Sequence, residues 1–243
     1  DEKSIKDLGQ FSSWPSLFFA DLVNILEEDK PLAIAFDIFF TESDSIKGYA
    51  RKRLSSELTD ITINPDKVMD KISTDDIFAN AMKKAGMVYL AMFNSDYPSY
   101  TQDLPDKLIS WNVQPKHYLE LKYPVPPIPQ FTRTARGIGF ANINPDITGK
   151  IHDYPLFLKH KRDMYVNFSM QLYLDLFGID KIRLDRSCHF FSGNKKVSEL
   201  PLSPDGLFYF KYYGPAKSFR YVSFSDVLFR KIPPGYFKDR IIL

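Results

Sequence analysis

Three carboxylates stand within eight residues of one another, Asp37, Glu42 and Asp44, in the stretch Pro31–Asp44, PLAIAFDIFFTESD. Oxygen donors so spaced can serve as hard ligands for Mg²⁺ or Ca²⁺, or simply as a helix cap and a solvated loop. The pattern is neither the D-x-D-x-T nucleophile of phosphate transfer nor an EF-hand. Asp37 interrupts an apolar run that resumes with Ile38, Phe39 and Phe40. An acid inside a buried strand is costly unless hydrogen-bonded, so Asp37 reads as a structural keystone first and a ligand contact second. A second polar group, Asn142, Asn144, Asp146, Thr148, His152 and Asp153, either converges on a polar ligand or supplies ordinary turn chemistry. The candidate ligand-binding set is therefore Asp37, Glu42, Asp44, Asn142, Asn144 and Asp146, and no residue is assigned a catalytic role.

Other chemistries find less support. His117, His152, His160 and His189 lack zinc spacing, so neither a metal nor another cofactor is expected. No nucleophile elbow, P-loop or dinucleotide fingerprint occurs; after Gly137-Ile138-Gly139 the position needing a third glycine is Asn142. Cys188 lies among Arg186, Ser187 and His189, where a histidine could activate a thiol; it reads as a half-buried strand residue. Arg133, Arg136, Lys159, Lys161 and Arg162 form a modest cationic group, facing an anionic ligand, lipid headgroups or only solvent.

The 243 residues carry a net charge of +2, too little to make a polyanion-binding field, and nucleic-acid partners are excluded. With 21 Phe and 14 Tyr the chain is rich in residues that favour sheets and thick packing layers. No apolar run is long enough to span a bilayer. The polar start at Asp1 and the apolar end at Ile241-Ile242-Leu243 read as a domain cut from a larger protein, with any membrane segments outside it.

These residues must be placed by helices and strands in alternation. Asp1 to Gln10 reads as a polar exit segment. Phe18, Phe19, Leu22, Val23, Ile25 and Leu26 fall at helical spacing, with Ser16 as N-cap and an end near Glu28. A buried strand follows over Leu32–Phe40, interrupted at Asp37, with the polar Thr41–Asp44 at its carboxyl end. The stretch 45–71 reads as an exposed excursion. Thr74 caps a second helix that Gly86 ends, and Met87 to Phe93 is a second buried strand, giving crossovers of the length parallel pairing requires. Asn94 to Gln130, with seven prolines, reads as a surface loop holding a short strand near 118–123. Gly137–Asn144 and Lys150–Leu158 read as a hairpin about a Gly-bearing turn. A helix over Val166–Phe177, a strand pair about Ser192-Gly193-Asn194, a strand over Gly206–Tyr213, a short helix over Ser225–Phe229 and a last strand from Arg240 complete the chain. The fold class is α/β: one domain, residues 1–243, with a central mixed β-sheet flanked by helices and long Pro-rich loop insertions.

Several stretches, in order, resemble the type-two CHASE domain, an extracellular sensory domain associated with cyclases and histidine kinases. They are Leu8-Gly9 with Trp14-Pro15; Pro31–Asp44; Asp76–Gly86 with the strand after it; Gly139-Phe140-Ala141-Asn142 with Pro145-Asp146, Gly149 and Pro155-Leu156; Phe168–Leu172; Tyr212-Tyr213-Gly214-Pro215 with Phe219; Ser225–Leu228; and Phe237–Leu243. The arginine usual soon after the Trp-Pro is replaced by Ser16-Leu17-Phe18. The resemblance implies a non-enzymatic extracytoplasmic sensor, periplasmic or extracellular, that responds to a small-molecule or peptide signal. It further implies a membrane held through helices outside this chain, a cytoplasmic cyclase or kinase output, and a possible homodimer. Two alternatives stand beside it: a ligand-free dimerisation or protein-interaction module, and a metal-dependent hydrolase using Asp37, Glu42 and Asp44.

Overall fold

Large and small apolar residues alternate in two buried segments, AIAF at 33–36 and GIGF at 137–140, and that alternation organises the molecule. In the computed structural model, which describes residues 1–44, 73–100, 102–143, 147–204, 206–215 and 217–243, these segments are strands. The described elements are α1 (Glu2–Leu8), α2 (Ser16–Glu28), β1 (Ala33–Phe36), α3 (Thr74–Ala85), β2 (Val88–Ser95), β3 (Leu119–Glu120), β4 (Tyr123–Val125) and α4 (Pro129–Thr134). They continue as β5 (Gly137–Phe140), β6 (Asp153–Tyr154), β7 (Phe157–His160), β8 (Asp163–Val166), α5 (Phe168–Leu176) and β9 (Lys181–Leu184). The last are β10 (Ser187–Ser192), β11 (Lys195–Pro201), β12 (Phe208–Tyr209), α6 (Phe224–Leu228) and β13 (Ile241–Ile242).

The main sheet is mixed. β13, β1, β2 and β5 run parallel in that order, and β4 pairs antiparallel with the last residues of β2. Because successive side chains point to opposite faces, Ile34, Phe36, Val88, Leu90, Met92, Ile138 and Phe140 share one side. They pack against Phe19, Val23 and Leu26 of α2, Phe78 and Met82 of α3, and Phe131 of α4. Ala33, Ala35, Tyr89 and Ala91 face the other side, against Phe168 and Leu172 of α5. Small residues there let the helix backbone approach closely. A Cβ at Gly139 would lie 2.6 Å from the Cα of Phe168, and one at Gly137 would lie 2.8 Å from the Tyr89 ring. A smaller core lies between α5 and the antiparallel sheet β9-β10-β11, built on Leu174, Ile182, Cys188 and Phe190.

The α/β class with a mixed, helix-flanked sheet is as the sequence implies, and several local expectations are corrected. Asp1 to Gln10 contains a helix, α1, whose first turn Asp1 caps by accepting from the Ser4 N–H at 2.9 Å. Pro15, in extended conformation, holds the N-cap position of α2, and Ser16 is the first helical residue. Ser73, not Thr74, caps α3, its hydroxyl accepting from the Asp76 N–H at 3.2 Å, while Gly86 ends the helix in left-handed conformation at φ 65°. The strand expected to run on to Phe40 ends at Phe36, the last residue of β1 paired with β2.

No hairpin joins Gly137–Asn144 to Lys150–Leu158. β5 instead finds a better partner in β2, which buries it on both faces, and β7 pairs with β3 and β8. The predicted helix from Val166 starts at Phe168, because Val166 closes β8 and Asn167 caps the helix from its side chain, 2.8 Å from the Met170 N–H. The strand expected over Gly206–Tyr213 is reduced to Phe208–Tyr209, paired with β6. The hairpin about Gly193 forms, and β9 extends it to three strands. The final strand and the short helix near Ser225 are present as β13 and α6. The excursion at 45–71 lies outside the described residues.

Candidate functional site

In open sheets with parallel strands, ligands favour the loops beyond the carboxyl ends of the strands. Here that edge gathers residues 37–44, Asn94, Asn142 and Tyr154, so it receives most of the sequence-derived set.

Asp37 is the first residue past β1 and is exposed. It is not a buried keystone: the strand stops one residue short of it, and the carboxylate keeps its water. Ile38 is half-buried, Phe39 stacks at 4.8 Å on Phe93, and Phe40 turns back into the core, where its carbonyl accepts from the Ile128 N–H at 2.8 Å. The Tyr154 hydroxyl is pushed up to about 12 by burial and, next, by the charge of Asp37. Glu42 is exposed.

Asp44 is half-buried and makes a clasp. Its carboxylate accepts from the Ser16 N–H at 2.9 Å and from the Thr74 hydroxyl at 2.7 Å. Its own N–H donates to Asp75 at 3.0 Å, and the other oxygen of Asp75, itself 5% exposed, accepts from the Ser16 hydroxyl at 2.6 Å. Two carboxylates thus sit where α2 and α3 begin, the ends at which helix dipoles favour negative charge. The N-cap that Ser16 was expected to supply comes from Asp44, 28 residues away, a pairing sequence proximity cannot reveal.

Asn142 extends the sheet with its side chain. Its Oδ1 accepts from the Asn94 N–H at 2.8 Å and its Nδ2 donates to the Asn94 carbonyl at 3.1 Å, so the amide imitates the next backbone unit of β5. The Asn94 side chain passes the pattern on, accepting from the Tyr123 N–H of β4 at 2.8 Å. Asn144 and Asp146 lie outside the described residues. Asp37 and Glu42 therefore present exposed carboxylates at this edge, whereas Asp44 and Asn142 are held there in hydrogen bonds. Among the described residues no three His, Cys, Asp or Glu side chains converge to hold a metal ion.

Other features that the sequence did not single out include two clefts. A cleft of about 550 Å³ opens between Gln114–Lys116, the β9–β10 turn at Asp185-Arg186, and Ser203–Pro204. A second, of about 450 Å³, lies among Leu104–Lys107, Pro126, Pro127 and Arg133. Beside the first, His189 has Nε2 2.9 Å from both oxygens of Asp185, while Glu199 stands 3.2 Å from Nδ1 without the alignment of a hydrogen bond. The His189 contact, followed by the Ser187 N–H, holds the Asp185 carboxyl down to about 2. The only hint in the sequence was the basic and histidine company of Cys188. That thiol is fully buried, and burial pushes it up to about 12, the opposite of activation. The cationic group is dispersed: Arg136 donates to Asp175 at 2.7 Å and Lys159 lies 5.1 Å over the Tyr118 ring.

The family profile described as CHASE2 domain matches residues 1–243. Searches of curated proteins and of solved structures found no match.

Proposed function

The chain belongs to the CHASE2 domain family, an extracellular sensory family of signalling proteins, and we propose that it is the signal-input domain of a bacterial membrane-anchored receptor. In this reading residues 1–243 form one extracytoplasmic unit, helices outside the chain hold it to the membrane, and a nucleotide cyclase or histidine kinase acts on the far side. The domain itself performs no chemistry. A small molecule or peptide shifts its balance between two arrangements, by no more than its difference in affinity for them.

The observation that carries this reading is the family match over the whole chain. The carboxyl edge of the parallel sheet supports it as the place where the signal binds. There Asp37 and Glu42 supply exposed carboxylates, Asn142 is held in register by Asn94, and Asp44 ties the same edge to the starts of α2 and α3. Asn144 and Asp146 complete the proposed set. Ligand binding at this edge would press on Asp44 and so on two helices at once, a short route from contact to shape.

A second location is favoured by one observation, the cleft of about 550 Å³ with Lys116 and Arg186 on its walls. A thermal-shift screen of metabolites, ions and short peptides tests the function and separates the two places. A ligand at one hundred times its dissociation constant stabilises the folded state by about 2.7 kcal/mol. A shift abolished by Asp37→Asn with Glu42→Gln supports the carboxyl edge, and one abolished by Arg186→Gln supports the cleft. No shift from any compound would favour the ligand-free dimerisation module.

A further inference from the structure

Residues 206–225 contain eight aromatic side chains, three cations and no acid. Their placement in the molecule is unlike that of any other aromatic run. From Lys211 to Tyr221 every residue whose burial is described is exposed. Tyr212, Tyr213, Phe219 and Tyr221 are 62%, 88%, 67% and 74% exposed, interleaved with Lys211, Lys217 and Arg220. The rings are not idle singles: Tyr213 lies 5.5 Å from Phe219 and Phe210 lies 5.3 Å from Tyr212. Isolated exposed apolar residues need no explanation, but a contiguous group marks a contact surface.

Both ends of this segment are tied to the carboxyl edge of the main sheet. At its start the Phe210 N–H donates to the His152 carbonyl at 3.3 Å, and the Tyr212 hydroxyl donates to the Ile151 carbonyl at 2.8 Å. β12 pairs there with β6, whose Tyr154 feels the charge of Asp37. At its end Phe224 packs 4.7 Å from Trp14, just ahead of α2, and the Ser223 hydroxyl donates to Asp1 at 3.0 Å. The segment therefore shares one side of the molecule with the start of α2.

We infer that residues 209–221 rest on an anionic lipid surface. The inference builds on the membrane-anchored reading above. Tyrosine has an apolar ring and a polar tip, the form that settles at headgroup level. Lys211, Lys217 and Arg220 supply charge complementary to phosphate headgroups, each strengthening adsorption about fivefold near a charged bilayer. The nearby carboxylate of Asp153 sits opposite Tyr209, at the inner end of the segment. A protein partner would accept the same rings, but it would not require an acid-free stretch with its cations spread between them. The contact would fix the tilt of the sensor on the bilayer and leave tyrosines bridging water and lipid.

Flotation of the purified chain with vesicles tests this directly. Millimolar lipid containing phosphatidylglycerol should capture the chain, vesicles of phosphatidylcholine alone should capture much less, and added salt should weaken capture. Lys211→Gln with Lys217→Gln and Arg220→Gln should lower partitioning at least tenfold. Tyr213→Ser with Tyr221→Ser should lower it several-fold, with the melting temperature unchanged in both variants. No capture by anionic vesicles, or capture indifferent to both variants, overturns the inference. So does salt-insensitive self-association lost in the tyrosine variant, which would assign the surface to a second copy of the chain. Ligand-induced thermal shifts do not depend on this segment, so they judge the sensor reading separately.

Discussion

The aromatic residues of this chain do two different jobs in two regions. Between the main sheet and α2, α3 and α4, five phenylalanines lock together: Phe19, Phe36, Phe40, Phe78 and Phe131, with neighbouring centroids 5.0 to 5.9 Å apart. Most of these pairs are edge-to-face, the arrangement that ring quadrupoles favour. In residues 191–221 the aromatics are half-buried or exposed. Phe191 lies beneath Lys181 and Arg183, at 5.9 and 5.5 Å, and Tyr213 and Tyr221 face solvent. Polar groups divide in the same way. Asp75 is sealed into the clasp with Ser16 and Asp44, whereas His189 pairs with the surface carboxylate of Asp185. The difference teaches where stability is stored and where the chain has surface to offer. A ring without a polar handle is best used inside, and a tyrosine among cations is best used at a boundary.

The contrast can be broken first at its core. Phe78→Ala removes a fully buried ring that touches four others and should cost about 3–5 kcal/mol in urea unfolding. A loss under 1 kcal/mol would mean that the phenylalanine cluster is not the mainstay proposed. Gly139→Ala forces the backbone of α5 off the sheet and should cost about 1–3 kcal/mol by the same measurement, although it adds only a methyl group. Asp75→Ala strips partners from the Ser16 hydroxyl and the Asp44 N–H and should cost about 1–3 kcal/mol.

On the outer region the effects shrink. Asp185 is held low in the folded state by His189, so its stabilising contribution is complete above the ordinary carboxylate range and is lost as pH falls toward about 2. Asp185→Asn should therefore flatten the fall in the urea midpoint between about pH 4 and pH 2; an unchanged slope would refute the pairing. Tyr213→Ser should change stability by less than about 0.5 kcal/mol, and a larger loss would place that ring in a packed interface within the chain.

Much of the central architecture is readable from residue order alone. The buried runs at 33–36 and 88–92 and the helical spacing of Phe78, Ala81 and Met82 impose parallel strands joined by a helix, because short-range pattern and burial agree there. Gly86 ends its helix because the left-handed conformation suits glycine. The misplaced features have one cause. The Gly137–Leu158 stretch has turn chemistry, yet β5 leaves its sequence neighbour for β2, where both of its faces are covered. Ser16 looks like a cap, yet Asp44 from 28 residues on fills that place. Of the candidate site, residue types indicated that Asp37, Glu42, Asp44 and Asn142 could meet a ligand, but not which were already hydrogen-bonded.

Composition and periodicity thus settled the α/β class, the two-faced strands and the absence of catalytic motifs, since those follow from forces acting between near neighbours. Partner choice did not follow from them. Whether Asp37 was inside or outside, whether Asn142 capped a strand, and whether Tyr212 to Tyr221 were core or surface depended on which distant segments reached them first, and only chain packing fixes that.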